Sequence, residues 1–160
     1  MSDRTTSRLL TIAAFLLLAI AATVLPLVSA QDAAYPWTQS QTVQPADLLK
    51  ELSAAKNAPT VVFVGYPRLF TSGHIKGAQY HGSGNTAEGI AQLKAWAGAL
   101  PRSANLVIYC GCCPMDHCPN DRPAFAALHE MGFTKLRVLI LSSSFAQDWA
   151  DKGYPYDRGQ

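Results

Sequence analysis

Residues 105–131 read NLVIYCGCCPMDHCPNDRPAFAALHEM. Asn105–Tyr109 is a short apolar, β-branched run without alternation, the mark of a strand buried on both faces. Cys110 follows it directly. Pro123–Met131 places Phe125, Leu128 and Met131 on one helical face, and Gly132 stops the pattern. A buried strand, a loop and then a helix are the beginning of a parallel βαβ unit. In open parallel sheets the reactive groups lie beyond the carboxyl ends of the strands. Cys110 stands at such an end.

Outward from this stretch the alternation repeats. Thr60–Val64 is a second buried strand, Gly65–Gly73 reads as a loop, and a short strand is expected near Ala78–His81. Thr86 is placed to N-cap a helix striped by Ile90, Leu93, Trp96, Ala97 and Leu100 and closed by Pro101. Upstream, Thr42-Val43 starts a strand, and Pro45 opens a helix carrying Leu48, Leu49, Leu52 and Ala55. Downstream, Leu136–Leu141 is a last strand and Ser144–Lys152 a last helix. The pattern predicts an α/β fold: a parallel sheet of about five short strands with helices on both faces.

The chain has 160 residues, 49% of them hydrophobic, and a net charge of +2. That size fits one domain, and the charge is too small to argue for nucleic acid as a partner. Residues 1–30 differ in kind. Arg4 and Arg8 precede an apolar run from Leu9 to Leu25, followed by Pro26 and Val28-Ser29-Ala30. This is the layout of a cleavable signal peptide cut near Ala30, and it predicts export to a periplasm or beyond the cell. An uncleaved anchor is the alternative, and the one route by which the chain would meet a membrane. Residues 31–41 read as a polar approach segment and 42–158 as the domain. All four cysteines, at 110, 112, 113 and 118, lie in one loop, so their function is local.

The chain resembles the rhodanese-like domain family. The likeness rests on VVFVG at 61–65, SGHIKGAQ at 72–79, LVIYC at 106–110, GF at 132–133 and DWADKGYP at 148–155. It implies a sulfurtransferase whose catalytic cysteine, here Cys110, carries sulfane sulfur as a persulfide. The implied partners are a small sulfur-containing donor and a thiol or other thiophilic acceptor, and no cofactor is implied. Three departures stand out. Gly65-Tyr66 replaces the usual acidic residue after the first buried strand, and Ser142-Ser143-Ser144 replaces paired glycines. The loop from Gly111 to Arg122 is longer than the usual one, so donor preference does not carry over.

A persulfide-forming cysteine must ionise near neutral pH, against a free value of about 8.5. Amides of a wrapped loop at Gly111, Cys112 and Cys113 and a helix N-terminus are expected to favour the thiolate. Arg122 either holds an anionic donor or is solvated in the first helical turn. Three roles stay open for the other thiols. Cys112, Cys113 or Cys118 resolves the persulfide as a disulfide, to be reduced by a redox partner. Alternatively a bridge such as Cys113–Cys118 staples the loop. In the third role Cys112, Cys113 and Cys118 with His117 hold a soft metal, which makes the chain a non-catalytic binding module. Asp116 and His117 form either an acid–base pair or an exposed polar turn. His74 is expected to serve the fold, and His81 and His129 the surface.

Overall fold

The computed structural model describes residues 35–54 and 56–159; the expected export segment at 1–30 lies outside them. Five parallel strands form one sheet: β1 (Thr42–Val43), β2 (Thr60–Phe63), β4 (Gln79–Tyr80), β5 (Asn105–Tyr109) and β6 (Lys135–Leu139), in the order β1-β6-β5-β2-β4. The central strand β5 pairs along its length with β2 on one side and β6 on the other. Its side chains alternate between two cores. Leu106, Ile108 and Cys110 face one that contains Leu93, Ala97, Phe125 and Leu128; Val107 and Tyr109 face another with Leu48, Ile75, Leu139 and Trp149. Leu48 comes from α1 (Pro45–Ser53), Leu93 and Ala97 from α3 (Ala87–Ala97), and Phe125 and Leu128 from α4 (Asp121–Glu130). This is the expected α/β architecture with helices on both faces.

Several boundaries differ from the sequence reading. The expected loop at 65–73 contains a short helix, α2 (Pro67–Ser72), opened by Pro67 and carrying Leu69 and Phe70 onto the second core. Helix α4 starts at Asp121, two residues before the expected Pro123. Proline at the third helical position is tolerated because that N–H has no intrahelical acceptor. The expected last helix is broken at Trp149 into α5 (Phe145–Asp148) and a 3₁₀ turn, Ala150–Lys152. The fully buried Trp149 indole donates to the Pro155 carbonyl at 2.9 Å. The pattern also gave no hint of a two-stranded antiparallel ribbon of β3 (His74–Ile75) and β7 (Tyr156–Asp157), which ties the end of the chain to its middle.

Two polar links fix the frame around β5. The Tyr109 hydroxyl, buried beside Phe63, accepts the Ile75 N–H at 2.9 Å and so joins β5 to β3. Arg137 on β6 grips Glu51 on α1 with two hydrogen bonds, at 2.7 and 2.6 Å, and reaches Asn105 at 3.1 Å. A bidentate, half-buried pair of this kind is worth more than an exposed ion pair. The first link sits at the last residue of β5 and the second reaches its first, so the strand is held at both ends before the cysteine loop begins.

Candidate active site

The loop runs from Cys110 to Asn120 and turns back on itself. Gly111 has φ +76, and a Cβ there would lie 2.8 Å from Phe145 Cβ, so glycine alone fits. Its carbonyl accepts the Phe145 N–H at 3.1 Å. A 3₁₀ turn at Met115–His117 reverses the chain, and the Met115 N–H is held by Leu141 O at 3.1 Å. This return brings Cys118, eight positions along the chain, back beside Cys110.

The sulfurs of Cys110, Cys112 and Cys118 all lie within 4.8 Å of one another. Cys110 and Cys112 are 3.2 Å apart, and Cys112 and Cys113 are 3.0 Å apart. All four cysteines are free thiols. Cys110 and Cys118 are buried at 1% and 3% exposure, whereas Cys112 and Cys113 are half-buried. Asn120, with no exposed surface, donates from Nδ2 to Cys110 Sγ at 3.2 Å. Its Oδ1 accepts the Asn85 N–H at 3.1 Å.

The negative charge of this cluster belongs on Cys118. Cys118 accepts a hydrogen bond from the Cys110 thiol and, despite burial, from the Asn120 and Asp121 N–H groups and the Asp121 carboxyl; its value is lowered to about 5. These amides are the N-terminus of α4, where the helix dipole favours a negative charge. Donation to Cys118, with burial, pushes the Cys110 thiol far above the ordinary range. Burial and the neighbouring Cys118 charge likewise raise the Asp121 carboxyl well above the usual carboxylate range, as does its hydrogen bond with Cys118. Among the described residues Asp121 Oδ1 has no hydrogen-bond partner. Burial and contact with Cys112 also raise Cys113.

The expected cradle is therefore divided between two thiols. Cys110 receives the Cys112 amide and the Asn120 side chain, while the helix N-terminus serves Cys118. Arg122 points elsewhere: Nη2 donates to the Asp116 carbonyl at 3.2 Å, and its guanidinium lies over Tyr35, 4.9 Å from the ring centre. It pins the outer turn of the loop. His117 is exposed and faces Asp116 at 3.5 Å, outside the sulfur cluster. His74 is buried, stacked on Phe70 and bonded to the Phe70 carbonyl, a role in the fold. His81 is more enclosed than expected and stacks on Trp96. Asn120 and Asp121 were missed; the available signal was an Asn-Asp pair just before a helical pattern, residues that favour helix starts.

A cleft of about 350 Å³ opens beside Gly111, lined by Phe63, Leu69, Gly73, Phe145 and Tyr156 among others. Phe63 and Phe145 belong to the second core and Cys110 to the first, so Gly111 marks the boundary between cleft and thiols.

No family model matches the chain, and no curated protein sequence matches it either. Solved structures do. The rhodanese-like domain of the Alr3790 protein from Anabaena sp is 23% identical over 74% of this chain and 79% of that one, with a TM-score of 0.54. The BH2092 protein from Bacillus halodurans is 19% identical over 80% of each chain, with a TM-score of 0.58. An EanB variant whose cysteine carries a persulfide, in a tetrahedral intermediate state with ergothioneine, is 19% identical with a TM-score of 0.55. The match covers 73% of this chain but only 28% of EanB. The chain has a rhodanese-like fold.

Proposed function

We propose that this protein is a sulfurtransferase-type carrier in which Cys110 takes up sulfane sulfur as a persulfide and yields it to a thiophilic acceptor. The observation that supports this reading most is the placement of Cys110 at the carboxyl end of β5 with the Cys112 and Cys118 sulfurs within 4.8 Å of its own. A thiol that rests protonated against a thiolate has its base already in contact. As Cys110 Sγ attacks the sulfane sulfur of a donor, Cys118 takes the proton. A Cys110–sulfur bond forms, the donor's own bond to that sulfur breaks, and the leaving group departs with the electron pair; thiosulfate would release sulfite. In the return step an acceptor thiolate attacks the outer sulfur, and Cys110 recovers its proton from Cys118.

The test is mass analysis of the loop peptide after anaerobic incubation with thiosulfate. The expected result is a gain of about 32 Da on Cys110, the mass of one sulfur atom in a persulfide, with loss of the gain and of transfer in Cys110→Ser. Full transfer by Cys110→Ser from every donor tried would sink the assignment. A second reading has its own observation: three sulfurs within 4.8 Å also suit a soft cation. Stoichiometric copper or zinc in anaerobically purified protein, lost in Cys112→Ser and accompanied by no sulfur adduct, would favour that binding module.

A further inference from the structure

Cys110 is 1% exposed and Cys118 3% exposed, so the sulfur that Cys110 holds lies out of reach of a large acceptor. The other two thiols lead outward from it. Cys112 Sγ touches Cys110 Sγ at 3.2 Å and Cys113 Sγ at 3.0 Å, and both residues are half-buried. The far half of the loop is tied down by the Met115–Leu141 and Arg122–Asp116 hydrogen bonds, while both outward thiols sit on its near half.

We propose that Cys110, Cys112 and Cys113 form a sulfur relay that carries the persulfide sulfur from the buried site to the surface, where a macromolecular thiol collects it. The proposal rests on the carrier reading of Cys110. A persulfide on Cys110 extends its outer sulfur by a bond of about 2.05 Å. Cys112 Sγ lies 3.2 Å from Cys110 Sγ, and a turn of the near half of the loop brings it in line with the bond that breaks, at the roughly 3–3.5 Å needed for attack on the outer sulfur. In the first step Cys112 Sγ bonds to the outer sulfur, the Cys110–sulfur bond breaks, and Cys110 takes the proton Cys112 gives up. The second step repeats this between Cys112 and Cys113. Each step breaks one sulfur–sulfur bond and forms one, so the relay consumes neither oxidant nor reductant. The Cys113 persulfide then meets the acceptor thiolate.

This arrangement gives each cysteine a separate task. Cys118 holds the charge and the proton, Cys110 is the buried store, and Cys112 and Cys113 are the way out. The acceptor class that needs such a route is a thiol on a protein or other large carrier, because a small nucleophile such as cyanide requires only brief opening of the loop.

The experiment loads the full chain with thiosulfate and divides it between two acceptors, cyanide and a polyethylene-glycol thiol. Partial loading followed by rapid alkylation and peptide mapping of the unmutated protein should find the added sulfur on Cys110, Cys112 and Cys113. In Cys113→Ser and Cys112→Ser the ratio of polyethylene-glycol-thiol to cyanide discharge should fall about tenfold or more. A ratio within about twofold of the unmutated protein in both variants, or sulfur confined to Cys110 while the large thiol discharges it at full rate, overturns the relay. Absence of any sulfur on Cys110 after loading instead overturns the carrier reading on which the relay rests.

Discussion

Helices α3 and α4 begin next to each other and satisfy their first turns in different ways. At α3 the Thr86 side chain accepts the Gly89 N–H at 3.0 Å, a neutral cap of the ordinary kind. At α4 the cap residue Asn120 has helical backbone angles and makes no side-chain cap. Its side chain instead bridges Cys110 and the Asn85 N–H, and the amides of Asn120 and Asp121 serve Cys118. One helix start closes on its own side chain, which favours stability. The other gives its amides to a thiolate from the preceding loop, which places a charge beside Cys110. A helix start becomes a site when its cap is replaced by a reactive group.

The two starts touch at Gly84, and that contact is the largest lever on the comparison. A Cβ on Gly84 would lie 2.1 Å from the Asn120 carbonyl oxygen, a backbone atom that cannot move without shifting the start of α4. Gly84→Ala is expected to cost more than about 4 kcal/mol, a loss in the range diagnostic of a broken backbone packing. The expected outcome is a chain that fails to give a cooperative urea transition. A normal transition together with an unchanged thiolate absorbance would show that α3 and α4 are not held in register there.

The second lever is the charge itself. The lowered Cys118 value contributes stability that is full above the free-thiol value of about 8.5 and is lost as pH falls towards about 5. The raised Asp121 value contributes stability that is full below the free carboxylate value and is lost as pH rises. The two slopes oppose each other. Asp121→Asn removes the second while keeping an N–H donor for Cys118. Its stability relative to the unmutated protein should therefore rise with pH above the free carboxylate value, by up to about 1.4 kcal/mol per pH unit. Parallel curves from urea unfolding at several pH values would place the charge elsewhere.

These pH arguments depend on Asp121, which the sequence did not mark, and on a role for Cys118 that it left open, and the reason is physical. Cys110 was legible because a buried strand running straight into a cysteine fixes where that side chain lies. The identity of its partner was not. Cys118 reaches Cys110 only because the Met115–His117 turn reverses the loop, a tertiary event without periodicity to betray it. Arg122 carried the right charge for a donor site, yet its guanidinium is held by the Asp116 carbonyl and Tyr35. In the fold, strands β2 and β5 were read from their apolar runs. Helix α2 escaped because its six residues, Pro67–Ser72, are too few to display a helical stripe, and four of them are exposed. The ribbon of β3 and β7 pairs two residues with two others at the far end of the chain.

The smallest effect offers the sharpest separation of the two helix starts. Thr86 is exposed and its cap bond belongs to α3 alone. Thr86→Ala should cost about 1 kcal/mol, the usual loss for a capping hydroxyl, which urea unfolding can measure. The thiolate titration and the rate of sulfur loading should stay unchanged, because no atom of Thr86 bonds to Asn120 or to the loop. The neighbouring Asn85 does bond to Asn120, through its own N–H, so the two effects are one residue apart along the chain. A shift in the thiolate midpoint in Thr86→Ala would mean that the backbone at Asn85 follows the cap. The two starts would then form one electrostatic unit, and the neutral cap of α3 would count as part of the site it adjoins.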